Sequence, residues 1–143
     1  MHISSLLEQK GTAVVTISGD ATVAEAVAEL GRHGIGAIVV SSDGVHIEGI
    51  VSERDVVRGL SARQAAVLDE AVHTIMTATV VTCTPEDDIE SLMTTMTNYR
   101  VRHVPVVRGG ELCGIVSIGD VVKSRIGELE KDRQELVEYI HGR

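Results

Sequence analysis

The chain has 143 residues, in which 13 Lys and Arg against 21 Asp and Glu leave a formal net charge of −8, with 43% hydrophobic residues, two Tyr and neither Phe nor Trp. Nucleic-acid binding draws affinity from clustered cations that neutralise phosphate, and single-strand binders add aromatic platforms for the bases. The composition is poor in both, which excludes long nucleic acid as a partner, while a chain of this length buries roughly two-thirds of its unfolded surface in one core, here of Val, Ile, Leu, Met and Ala.

Taken in chain order, the elements come in two matching sets. Residue n set against n + 66 aligns Val14-Val15-Thr16 with Val80-Val81-Thr82, and a one-residue shift then aligns Gly49-Ile50-Val51-Ser52-Glu53-Arg54-Asp55-Val56-Val57 with Gly114-Ile115-Val116-Ser117-Ile118-Gly119-Asp120-Val121-Val122, identical at seven of nine positions. Each set predicts a short strand (14–17; 80–83) and then a helix (22–33; 88–99). Two strands joined by a tight turn at Asp43-Gly44 or Gly109-Gly110 follow, and a second helix starts at Ser52 or Ser117. The first helices rest on Val23, Ala26, Val27, Leu30 and on Ile89, Leu92, Met93, Met96, both spaced i, i+3, i+4, i+7 as one-sided helices are. The segment 61–76 reads as a linker containing a helix. The last helix continues on Ile126, Leu129, Arg133, Leu136 and Ile140, a packing or dimer seam. The fold class is therefore α/β (α+β): two β-α-β-β-α repeats, 1–60 and 77–126, related by a pseudo-twofold, with an extended C-terminal helical tail, 127–143.

The doubled Gly-Ile-Val-Ser-x-x-Asp motif admits a purely structural explanation, because Ser at the N-cap and Asp three residues later form something close to a capping box. Its retention in both halves, while the residues between change from Glu53-Arg54 to Ile118-Gly119, points to a requirement beyond capping. A carboxylate there can accept hydrogen bonds from vicinal ribose hydroxyls, and the helix N-terminus beside it favours an anion.

On this motif and its two copies, each preceded by a β-α-β unit, with Ile75-Met76-Thr77 leading into the second, the chain resembles a tandem pair of cystathionine beta-synthase (CBS) domains, a Bateman module, over 1–126. It is similar in particular to the small stand-alone bacterial members. The resemblance implies a regulatory module, not an enzyme, that binds an adenosine-containing ligand (AMP, ADP, ATP, NAD(H) or S-adenosylmethionine) in two clefts and signals occupancy to a partner. It implies ribose contacts at Asp120 with Ser117 and at Asp55 with Ser52. It implies an adenine pocket from Thr16, Ile17, Thr82, Cys83, Ile35, Ala37, Val101, Val104 and Pro105, and phosphate contacts from Arg102 and His103. The matching positions in the first repeat, Gly36 and Ala37, carry no charge. The cleft of Asp120 is thus expected to favour a phosphorylated ligand, and the cleft of Asp55 to rely on Arg54 or Arg58, to bind more weakly or to remain empty. The resemblance also implies a homodimer.

Among the basic residues around the second repeat's strand, a guanidinium at Arg102 suits phosphate oxygens bidentately, whereas Arg100 and Arg108 are expected to face solvent. Cys83 and Cys113 lack a CxxC spacing and an adjacent base, so they read as small buried hydrophobes and not as disulfide, zinc or redox groups. The six His show no paired metal-ligand spacing, and no nucleophile elbow or P-loop occurs, so neither a metal nor a catalytic residue is assigned. The start of the chain lacks a basic, then apolar, secretory pattern, and no apolar run is long enough to span a membrane, which leads to the expectation of a soluble cytoplasmic protein. The competing reading is a ligand-independent dimerisation or interaction scaffold; sequence leaves the effector partner unknown.

Overall fold

A computed structural model describes residues 1–142. The elements run α1 (Ile3–Lys10), β1 (Thr16–Ile17), α2 (Val23–His33), β2 (Ala37–Val40), β3 (Gly49–Ser52), α3 (Glu53–Arg63), two 3-10 turns (Gln64–Asp69 and Val72–Thr74), α4 (Ile89–Tyr99), β4 (His103–Arg108), β5 (Glu111–Ser117) and α5 (Ile118–Ile140). In the first half, β1 pairs parallel with β2, which pairs antiparallel with β3 in the register Ala37 to Ser52 through Val40 to Gly49. In the second half, β4 and β5 form an antiparallel hairpin from His103 opposite Ser117 to Arg108 opposite Glu111.

The two predicted first strands are shorter than expected. Only Thr16–Ile17 pairs in the first half, and in the second the expected strand 80–83 reduces to one parallel bridge, Cys83 beside Val106. There Cys83 N–H donates to Pro105 O (3.1 Å) and Val107 N–H to Cys83 O (2.8 Å). Val80 and Val81 instead line a cavity, described below. Gly109 and Gly110 both have positive φ (59° and 79°), as a two-residue hairpin turn requires. The connection at Asp43-Gly44 is wider, spanning 41–48. It is held by the Asp43 carboxylate, which accepts from the N–H of Val45 and of His46 (2.8 Å each) and sits 2.7 Å from His46 Nδ1.

Local sequence explains the helix starts. Thr22 and Glu25 form a full capping box at α2, as do Ser52 with Asp55 at α3 and Ser117 with Asp120 at α5, while Asp88 caps α4 by accepting from Glu90 N–H. Helix α1, whose Ile3, Leu6 and Leu7 are all buried, is not among the elements expected from the sequence.

The two halves exchange their leading segments. Ile3 N–H donates to Asp87 O (2.9 Å) and Val72 N–H donates to Ala21 O (2.7 Å), so the N-terminal helix belongs to the second half and the linker to the first. Accordingly, Ile3, Leu6 and Leu7 pack with Cys83, Ile89, Leu92, Met96, Val104, Val106, Val116 and Val121, whereas Val72 packs with Ala26, Leu30, Ile38, Val40, Val51 and Val56. This exchange also explains the paired motif glycines. A Cβ on Gly49 would lie 2.5 Å from Met76 Sδ, and one on Gly114 would lie 2.8 Å from Leu7 Cδ2. Each glycine is therefore required where the exchanged segment crosses β3 or β5.

Candidate functional site

A cleft of about 540 Å³ forms where the start of α3 meets the loop that follows α4. One wall comes from the first half: Gly36, Ala37, Ile50, Ser52, Glu53, Arg54, Asp55 and Arg58. The other comes from Tyr99, Arg100, Val101, Arg102 and His103, and Thr77, Thr79, Val80 and Val81 close the third side. Ile50 and Thr77 form an antiparallel bridge, with Thr77 N–H donating to Ile50 O (2.9 Å), and this draws the linker's end against α3.

Asp55 does two jobs. Its Oδ2 accepts from Ser52 N–H (2.8 Å) and Ser52 Oγ (3.1 Å), completing the cap, while Oδ1 meets only Thr77 Oγ1, at 3.5 Å. One carboxylate oxygen is thus left for a ligand hydroxyl. Arg54 and Arg58, four residues apart on α3, share a helix face with the cavity. Together with Arg100 and Arg102 they set four guanidinium groups against the carboxylates of Glu53 and Asp55, and among the described residues none of the four forms an ion pair. Guanidinium groups that are not held in ion pairs are chemically suited to engage phosphate or carboxylate oxygens.

The structure differs from the sequence expectation on which carboxylate the basic residues serve. Arg102 and His103 line the cleft of Asp55, not that of Asp120. In this cleft the N-terminus of α3 comes from the first half and the loop after α4 from the second, a pairing across halves that alignment within a repeat does not reveal. Arg100 is exposed, as expected, and also borders the cavity, while Arg108 is exposed and lies 3.4 Å from Glu86. His103 stands at the inner edge, its ring within 3.2 Å of where a Cβ on Gly36 would be. Burial lowers its pKa below the usual histidine value, and Lys10 and Arg102 reinforce this against Glu53 and Asp120.

Of the residues expected at the base, Ala37 and Val101 line this cleft. Thr16, Ile17, Ile35, Thr82, Cys83, Val104 and Pro105 do not. Ile17 and Ile35 pack on the first core; Cys83 and Val104 lie in the second, Pro105 is buried on β4, and Thr82 is exposed. Burial pushes the Cys83 thiol up to about 12, which removes thiolate chemistry at neutral pH. Tyr99, Thr77, Thr79, Val80 and Val81 were not assigned from sequence. The sequence cue for Tyr99 was its place one residue before the basic loop.

Asp120 and Ser117 lie apart from this cleft. Asp120 Oδ2 accepts from Ser117 N–H (2.9 Å) and from Lys10 Nζ (2.6 Å), and Lys10 Nζ also donates to Ile115 O (2.7 Å). Burial works to raise the Asp120 pKa, but the hydrogen bonds from Lys10 and Ser117 outweigh it, and the net shift is downward. A groove of about 530 Å³ between α1 and α5 runs beside this pair. Among the described residues no cluster of three or more His, Cys, Asp or Glu is placed to hold a metal, and no helix is long and apolar enough to cross a membrane.

Two halves that each end in a strand, a Ser-capped helix and an Asp at its third position, joined around a shared cleft, define a tandem-repeat domain architecture. Residues 11–62 and 72–127 match the model of the CBS domain, and the chain belongs to that family as a tandem CBS pair. The CBS domain-containing protein CBSX3, mitochondrial, of Arabidopsis thaliana is 34% identical over 98% of this chain and 72% of its own length. A crystal structure of a CBS-domain-containing protein of Agrobacterium tumefaciens superposes with a TM-score of 0.84 at 45% identity, covering 87% of this chain and 99% of that one. A CBS domain protein of Pyrobaculum aerophilum, solved in complex with AMP, superposes with a TM-score of 0.75 at 30% identity, covering 84% of this chain and 89% of that one.

Proposed function

We propose that the chain is a regulatory sensor that binds an adenine nucleotide in the cleft of Asp55 and transmits its occupancy to a partner protein. The observation that carries this reading is the gathering, inside a single cleft, of four arginines without ion-pair partners among the described residues around a carboxylate whose Oδ1 makes a long, 3.5 Å contact with Thr77 Oγ1. Asp55 accepts the ribose hydroxyls, as carboxylates do in other nucleotide sites. Arg54, Arg58, Arg100 and Arg102 hold the phosphates. The base lies against Ile50, Val80, Val81 and Val101, with Tyr99 supplying the chain's aromatic contact in that cleft. The AMP complex of the Pyrobaculum relative supports the ligand class.

Four guanidinium groups exceed what one phosphate can engage, so ligands with two or more phosphates, ADP, ATP or NAD(H), are preferred over AMP, and all of these over the cationic S-adenosylmethionine. A thermal-shift panel of these ligands on protein freed of carried-over nucleotide tests the reading. At about 100 times Kd a ligand adds about 2.7 kcal/mol of stability. The expected order is ATP and ADP above AMP, with S-adenosylmethionine lowest; a flat panel overturns the function, and a panel led by S-adenosylmethionine overturns the ligand class. The chain also acts as a homodimer, with the exposed stripe on α5 as its seam.

A further inference from the structure

The nucleotide-binding architecture has two pseudo-equivalent places, and the chain equips them differently. Where the Asp55 cleft has Arg100, Arg102, Arg54 and Arg58, the corresponding positions of the other half are Gly34, Gly36, Gly119 and Lys123. The contact that crosses each motif strand differs as well. At Ile50 the carbonyl accepts from the backbone N–H of Thr77 (2.9 Å), and Thr77 reaches Asp55 only at 3.5 Å. At Ile115, the counterpart of Ile50, the carbonyl accepts from Lys10 Nζ (2.7 Å), and the same ammonium sits 2.6 Å from Asp120 Oδ2.

We infer that Lys10 is a built-in occupant of the second cleft: its ammonium takes the carboxylate and carbonyl oxygens that a nucleoside would otherwise use, so the chain holds one nucleotide, in the cleft of Asp55. This rests on the nucleotide reading of that cleft. The geometry is specific to an internal cation. Lys10 is the last residue of α1, whose Ile3, Leu6 and Leu7 are buried in the second half's core, so the ammonium is delivered by an anchored helix and not by a free tail. Its partner carboxylate has about a quarter of its side chain exposed (26%), and the cap hydrogen bond from Ser117 N–H holds the carboxylate in place. A ligand that approaches Asp120 meets a carboxylate already bound through Oδ2 to an internal ammonium, whereas the Asp55 carboxylate has no cation partner among the described residues and its Oδ1 makes a long contact, 3.5 Å, with Thr77 Oγ1. The groove beside Asp120 is lined by Lys10, Lys123 and Lys131 and by no arginine, so its cations are of a different kind from those around Asp55.

Equilibrium dialysis of the full chain with ADP and, separately, with adenosine tests this, using wild type, Lys10→Met and Lys10→Met/Asp120→Ala. The expected result is one ADP per chain in wild type. Lys10→Met is expected to gain a second, weaker site that binds adenosine and ADP within about threefold of each other, and the double variant to return to one. Unchanged affinity at the first site reports that Lys10→Met is folded, and Lys10→Gln, which keeps a polar side chain of similar reach, is expected to give the same gain. The inference is overturned if wild type already binds two, if both Lys10 variants stay at one, or if the second site survives Asp120→Ala. Absence of binding in wild type and all variants overturns the nucleotide reading itself, an outcome distinct from one retained site with no gain.

Discussion

Arg100 ends α4 in the left-handed conformation, with φ 55°, at the position where the first half ends α2 with Gly34 at φ 62°. Glycine adopts that conformation freely, whereas an L-residue with a Cβ is strained there by about 1 kcal/mol or more. The chain therefore carries a strained arginine at the rim of the cleft where an unstrained residue is available to the same fold, a pattern found at binding sites. Arg100→Gly is predicted to stabilise the protein by about 1 kcal/mol while weakening ADP binding about tenfold, since a hydrogen bond to a charged group contributes about 1.5–3 kcal/mol. Urea unfolding and calorimetric titration on the same variant measure both; a loss of stability together with unchanged affinity contradicts the assignment. At this scale the doubled Ser and Asp were legible because the motif repeats in sequence. Their capping role was also legible and is met in full at both helices. The attachment of Arg102 and His103 to Asp55 was not, because it depends on which half faces which.

Secondary elements were legible where periodicity was long. α2 and α4 start within one residue of expectation, and α5 runs to Ile140 as its stripe predicted. α1 was missed because an eight-residue helix offers only Ile3, Leu6 and Leu7 as its apolar face, and the linker forms 3-10 turns in place of the expected helix. Short first strands were overestimated because Val and Thr favour extended backbone whether or not a neighbour pairs with it. The tail of α5 leaves Ile126, Leu129, Leu136 and Ile140 between 51% and 69% exposed, spaced by three, seven and four residues. Such a stripe on one face of a helix has the spacing that the proposed homodimer seam requires. Leu136→Glu is predicted to shift sedimentation from dimer to monomer with the far-ultraviolet circular dichroism unchanged; a wild-type chain that sediments as a monomer at micromolar concentration contradicts the seam.

Over the whole molecule, a net charge of −8 coexists with one cleft in which four arginines face two carboxylates. The overall charge repels long polyanions, and the cleft focuses a local positive field on a small anion. The pseudo-twofold fold thus builds two similar frames with different linings, four arginines beside Asp55 and Lys10, Lys123 and Lys131 beside Asp120. The most direct measurement of that asymmetry is calorimetric titration of ADP into Asp55→Ala and Asp120→Ala. Each variant loses a helix cap, costing about 1 kcal/mol of stability, so both are perturbed alike at that level and differ in the cleft they alter. The expected result is loss of detectable binding in Asp55→Ala and near-wild-type affinity with one site in Asp120→Ala; retained binding in Asp55→Ala with loss in Asp120→Ala contradicts the account.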